Sequence, residues 1–174
     1  MNDMRYIRAE RLKLKRAFTK KLIWLMPITT VFLSAILMAG QSFQEGSYNW
    51  WYVMLLPGML SLICAGVIQK DSRKLGYRAL LGLPIDPAEI WLGKIGACTW
   101  LLFVSCAIFL AAVTLGGCIL GNSIQLKASM LASLLLFLTF SWQIPLCLFL
   151  ADRLGMIVAV LLNFAANTVF AVAT

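Results

Sequence analysis

The sequence predicts an all-α integral membrane protein, an N-terminal amphipathic elbow helix followed by five transmembrane helices. Three observations predict it. Of the 174 residues, 61% are hydrophobic and 13% are charged, whereas a soluble domain is about 45–50% apolar and about 25% charged. Five apolar runs have the length that crosses a bilayer of about 30 Å. Positive charge crowds one side of the stack those runs would make.

The composition comes first because it fixes the solvent. A water-soluble chain of this size would have too little polar surface to cover so much apolar material, so lipid must do part of the covering. The runs cover 22–40, 51–68, 95–115, 128–151 and 154–173. None shows the alternation of a barrel strand, and a lone segment in hydrocarbon must satisfy its backbone internally, so each reads as a helix. All belong to one domain, 1–174. The first run follows a long charged stretch and is long enough to span, so it reads as a retained helix rather than a cleaved signal.

Charge gives the orientation. Eight of the fifteen Lys and Arg residues lie between Arg5 and Lys21. Lys70, Arg73, Lys74, Arg78 and Lys94 fall between the second and third runs, and Arg153 between the last two. On the other side stands Lys127 alone, a ratio of fourteen to one. That bias predicts a multi-pass protein of the plasma membrane with a cytoplasmic N-terminus. Basic residues beside a membrane helix suit anionic headgroups better than nucleic acid. Tyr48, Trp50, Trp51 and Tyr52 cluster at the outer boundary, with Trp24 and Trp91 at the inner one.

Residues 1–21 make the elbow. Met4, Ile7, Leu14 and Phe18 share one face of a helix with Arg11, and Arg8, Arg11, Lys13, Lys15 and Arg16 are its candidate anchors to lipid headgroups. A solvated basic arm is the alternative. The cytoplasmic loop 69–94 has more structure than a tether needs. Ser72 can cap a short helix to about Leu81, which Gly82-Leu83-Pro84 stops. Asp86-Pro87-Ala88-Glu89 then starts the next helix, with Asp86 as cap and Pro87 in its first position. A short helix held across the basic face is a docking element in shape.

Inside the runs, Pro57 and Pro145 should kink their helices. Gln143, Asn163 and Asn167 are the intramembrane polar candidates, either bonding helix to helix or lining a substrate path. The cysteines (Cys64, Cys98, Cys106, Cys118 and Cys147) read as free thiols, four in apolar runs and Cys118 in a short loop. The chain has no histidine, which excludes a Ser-His-Asp triad and histidine metal sites. It has no phosphate-binding GxxxxGK[ST] loop, and its seven carboxylates fall in loops or at helix ends. No catalytic, cofactor or metal residue is expected, and energy for active transport must come from another subunit.

Several strings then resemble one family: Glu10-Arg-Leu-Lys-Leu-Lys-Arg16, Asn49-Trp-Trp-Tyr52, Leu56-Pro-Gly58, Gln69-Lys-Asp71, Lys74-Leu-Gly-Tyr-Arg-Ala-Leu-Leu81, and Leu83-Pro84 with Ile90-Trp-Leu-Gly-Lys94. They are similar to permease subunits of lantibiotic-immunity ABC transporters, within the wider ABC-2 type permeases. The likeness is densest over 5–95 and rests on hydropathy beyond. It implies ATP-driven export or clearance of lantibiotic or other antimicrobial peptides, for self-immunity or resistance. The implied partners are a cytoplasmic ABC ATPase carrying the ATP and magnesium, a second permease, membrane lipids and the peptide; nucleic acid is not among them. Lys70, Asp71, Arg73, Lys74, Tyr77, Arg78 and Leu81 become the ATPase-coupling candidates, on a coupling helix at about 72–83. Such permeases usually have six membrane helices, so ending at Thr174 after the fifth reads as a C-terminal truncation. The alternatives are an ABC-2 permease with another substrate and a membrane adaptor without transport.

Overall fold

A computed structural model describes residues 18–38, 42–74, 87–120 and 124–173. They fold as α1 (Phe18–Leu37), α2 (Phe43–Trp50), a π turn (Trp51–Leu55), α3 (Leu56–Lys74), α4 (Pro87–Leu120), α5 (Leu126–Ser141), α6 (Gln143–Leu154) and α7 (Met156–Ala173). Among the described residues there is no strand. Three stretches are long and apolar enough to cross a membrane: Thr19–Leu37, Phe43–Gln69 and Ala88–Leu120. The bent pair Leu126–Ser141 and Gln143–Leu154 makes a fourth if counted as one span, and Met156–Val169 is a shorter apolar helix. An all-helical membrane protein is therefore what the chain builds.

Proline shapes three of these helices, each time because its ring displaces the carbonyl four residues back. In α1 the proline is Pro27, and the Ile23 carbonyl it frees accepts the Ser105 hydroxyl of α4 at 3.5 Å. Before Pro57 the helix widens into the π turn, where the Leu56 N–H reaches back to the Trp51 carbonyl, five residues away. Pro145 sits in the first turn of α6, and the chain bends by 40° where α5 gives way to α6 at Trp142. The Ser141 hydroxyl turns back onto the Phe137 carbonyl at 2.5 Å, a bond that often accompanies helix bending. Gly155 has φ +83°, in the left-handed region that glycine enters at no steric cost, and it turns the chain from α6 into α7.

The core is built around the α2–π–α3 rod. Trp51, Leu56, Met59, Leu60 and Ile63 are fully buried on it. It packs against α1, α6 and α7, while α4 lies between α1 and α5. Two glycines set close approaches. A Cβ on Gly66 would lie 2.8 Å from the Thr19 methyl, and one on Gly116 would lie 2.8 Å from the Phe43 ring. Small residues let membrane helices approach to where dispersion contacts accumulate. The outer surface is apolar in stripes: Ile28, Phe32 and Ile36 are exposed along one side of α1, and Leu131, Leu134, Leu135 and Leu138 along α5. Such stripes suit lipid or a partner helix, not water.

Four local expectations change. Residues 43–50, which fall between the first two apolar runs and read as a loop by hydropathy, are helical, so the second rod is longer than its apolar run. Ser72 lies inside α3 and does not begin a helix, because α3 continues unbroken to Lys74. Cys118 is in α4, not a loop, since α4 runs on to Leu120. Trp51 is not a boundary aromatic; it is buried, stacked on Phe109 with centroids 4.6 Å apart.

Candidate functional site: an amide network between helix ends

The three polar residues singled out inside the membrane runs meet one another. The Gln143 Nε2 donates to Asn167 Oδ1 at 3.0 Å, and Asn167 Nδ2 faces Gln143 Oε1 at 3.4 Å, a reciprocal amide pair joining α6 to α7. The same Asn167 nitrogen donates to the Asn163 carbonyl at 2.8 Å and lies 3.2 Å from Asn163 Oδ1. Two hydrogens thus serve three acceptors. Asn163, buried at 4% exposure, donates its own Nδ2 to the Pro57 carbonyl at 3.1 Å. That carbonyl also receives the Ser61 hydroxyl at 3.0 Å.

Sequence explains why the network forms here. Asn163 and Asn167 are four apart and share a face of α7. Gln143 opens α6 immediately after the break, which frees it from the α5 face. Pro57 follows the π turn, and π turns and prolines expose carbonyls that side chains then satisfy. By helical rise, Asn163 and Asn167 stand about 11 and 17 Å along α7, and Gln143 about 15 Å above Arg153. The network therefore lies near the middle of the bundle, where unsatisfied amides cost most. It ties α3, α6 and α7 together at the two places where proline weakens them.

The end of the bundle bearing the basic residues has its own geometry. Lys94 is buried beneath the Trp91 ring, with Nζ 5.6 Å from the centroid, and the Arg153 guanidinium lies 5.9 Å from the Phe149 ring. The ring contact lets the Lys94 cation leave bulk water while keeping an attractive partner, whereas Arg153 stays exposed. Lys70, Asp71, Arg73 and Lys74 fall in the last turns of α3. Tyr77, Arg78 and Leu81 lie outside the described residues, as do Arg8, Arg11, Lys13, Lys15 and Arg16 of the elbow.

A polar cluster at the opposite end was missed in the sequence. The Tyr48 hydroxyl donates to the Ser129 carbonyl at 2.9 Å and sits 3.0 Å from Ser133 Oγ. Its one hydrogen goes to the carbonyl, which cannot donate, so Ser133 supplies the proton of the second bond. Gln44 Oε1 accepts the Ile124 N–H at 2.7 Å. Together these clamp α2 onto the start of α5. Two pairs at i,i+4 spacing, Gln44 with Tyr48 and Ser129 with Ser133, were the available signal.

Among the described residues no cluster of His, Cys, Asp and Glu could hold a metal ion. Cys64, Cys98 and Cys147 are buried free thiols on α3, α4 and α6. What the site offers is a proline-jointed helix bundle with neutral hydrogen bonds inside and cations at one end, as a membrane component would have.

Comparison with known families agrees with that reading. The family described as ABC-2 family transporter protein matches residues 6–173. The chain belongs to this ABC-2 family. The match spans the amide network, the π turn, the basic loop and both ends of the bundle. Searches among curated proteins and solved structures gave no match. An ABC-2 protein of this kind is the membrane component of a transporter, not its catalyst, and membership implies partnership with an ABC ATPase.

Proposed function

We propose that this ABC-2 protein is the permease subunit of an ATP-driven transporter that clears lantibiotic or related antimicrobial peptides from the plasma membrane, giving immunity or resistance. The family match over 6–173 is the observation that carries the transport half. The peptide half is supported by the resemblance of residues 5–95 to lantibiotic-immunity permeases. The N-terminus faces the cytoplasm in this reading, with residues 4–20 as a lipid-anchored elbow. ATP and magnesium reside on a separate ATPase, and a second permease completes the path.

Chemistry supports the division of labour. The described carboxylates sit near helix ends: Glu45 and Glu89 in first turns, Asp71 and Asp152 in last turns. Intramembrane acids that could relay protons are thus missing from the described bundle, and a stroke from outside replaces them. The stroke arrives at the segment 69–94, from the last turns of α3 to the first turns of α4, where Lys70, Asp71, Arg73, Lys74, Tyr77, Arg78 and Leu81 are the docking candidates. From there α3 carries it to Pro57 and the amide network.

The test is co-purification of the complex in mild detergent, with Tyr77, Arg78 and Leu81 replaced by Ala. The expected result is loss of most of the ATPase from the permease and loss of peptide resistance in cells. Full recovery of the ATPase with full resistance would remove the docking role. An intact complex that confers no resistance to any lantibiotic would leave a permease for another substrate.

A further inference from the structure

A cavity of about 510 Å³ opens sideways between the α2–π rod and α5, at the end of the bundle opposite the basic loop. Its size falls within the range of specific small-ligand sites, about 300–1,000 Å³. The two walls differ in kind. Glu45, Tyr48, Asn49 and Tyr52 come from the rod, while Leu135 and Leu136 come from α5. One wall carries a carboxylate, an amide and two phenol rings; the other is mostly aliphatic, with the Thr139 hydroxyl as its one polar group. Tyr52 and Leu135 are 41% and 53% exposed, so the cavity is reached from the lipid side without passing through the bundle.

Charge decides what such a cavity takes. Among the described residues, the carboxylates Asp71, Glu89 and Asp152 belong to the basic end. Of the described carboxylates Glu45 alone stands at the other end, exposed and on the cavity wall. A carboxylate beside tyrosine rings is the recognition chemistry of an organic cation, because ring faces and carboxylate both carry negative potential. A phospholipid phosphate would be repelled by the same group. The walls are also held apart at a fixed spacing, since Tyr48 is bonded to Ser129 and Ser133 and Gln44 to the Ile124 backbone. Preformed sites avoid the ordering cost of binding.

We propose that this cavity is the lateral site where a cationic amphipathic peptide first docks from the outer leaflet, with a Lys or Arg side chain on Glu45 and apolar side chains on Leu135 and Leu136. The idea deepens the transport reading above and rests on it. The rod that forms one wall is the same rod that continues through the π turn to Pro57, so occupancy and the amide network share one element.

The experiment uses the complete transporter complex in phosphatidylcholine nanodiscs, with a fluorescent Lys/Leu amphipathic helical peptide as probe. Binding is followed by anisotropy and peptide-stimulated ATP hydrolysis by phosphate release. Glu45→Gln should weaken binding about threefold and Glu45→Lys about tenfold or more, as expected for loss and reversal of a partly exposed charge contact. Lys127→Gln, off the cavity wall, should leave affinity unchanged. A benzophenone side chain at Leu135 should crosslink to the probe. Unchanged affinity in Glu45→Lys, with hydrolysis still stimulated, overturns the cavity as the site and leaves the transport reading standing. Crosslinks from position 135 to lipid or to a second copy of the chain overturn it equally. If the probe neither binds nor stimulates the wild-type complex, the peptide reading fails and the docking site falls with it.

Discussion

Asn167 is the residue on which the amide network converges. It meets Gln143 on α6 and Asn163 on its own helix, and Asn163 in turn holds the Pro57 carbonyl. Membrane hydrogen bonds average about 0.6 kcal/mol and reach about 1.7. Replacing Asn167 by Leu strips several at once and leaves the Gln143 amide without its partner. The expected loss is about 1–2 kcal/mol, measured by unfolding in SDS against mild detergent; a change of about 0.3 kcal/mol or less, the size of ordinary additivity error, would contradict the network. Trp51 gives a second case. Trp51→Ala should cost about 3–5 kcal/mol in the same titration, because it empties a fully buried site stacked on Phe109. A boundary aromatic would cost about 0.5 kcal/mol or less. Sequence showed Asn163 and Asn167 on one face because helical spacing is local. It could not show Gln143 as their partner, since which helices adjoin is a property of the bundle. Trp51 misled for the same reason: Tyr48, Trp50 and Tyr52 beside it looked like a belt, and only Phe109 on α4 reveals the difference.

At the scale of elements, the prolines were legible and their consequences were not. Pro57 and Pro145 each remove one donor and displace one carbonyl, which any sequence reader can state. The structure answers with a π turn at one and a break at the other. Packing makes the choice: the rod keeps Trp51, Leu56 and Met59 in the core by widening, whereas α5 and α6 part at Trp142, which is exposed. Pro145→Ala restores the donor that the Ser141 carbonyl lacks. Spin labels at Leu131→Cys and Leu154→Cys, in a Cys118→Ser background, should then move apart by about 2 Å as the two arms straighten, from the helical rise alone. An unchanged distance distribution would mean that packing, not the proline, sets the bend. Helix α2 was hidden because FQEGSYNW has little apolar content. Its helical state follows from burying Phe43 against Gly116 and from the clamp onto α5, both tertiary.

Across the whole molecule, composition and charge order spoke most clearly, because solvent choice is a sum over many residues and survives local errors. Lipid-length helices, apolar stripes on α1 and α5, and cations gathered at one end describe a bundle with a wet basic face and a nearly uncharged far face. In the proposed reading the charge asymmetry orients that bundle, with the N-terminal stretch and the segment 69–94 cytoplasmic and the end bearing Glu45 and Lys127 outward. Long juxtamembrane Lys and Arg side chains are expensive to translocate, so fourteen against one should fix a single topology. ATPase docking, the direction of the stroke and the outward cavity all depend on it. The direct measurement is labelling by a membrane-impermeant maleimide in a Cys118→Ser background, with one cysteine placed at Gln125 or at Asp86. Gln125→Cys should label on intact cells, and Asp86→Cys only after permeabilisation. Asp86→Cys labelling on intact cells, with Gln125→Cys protected, would contradict the account.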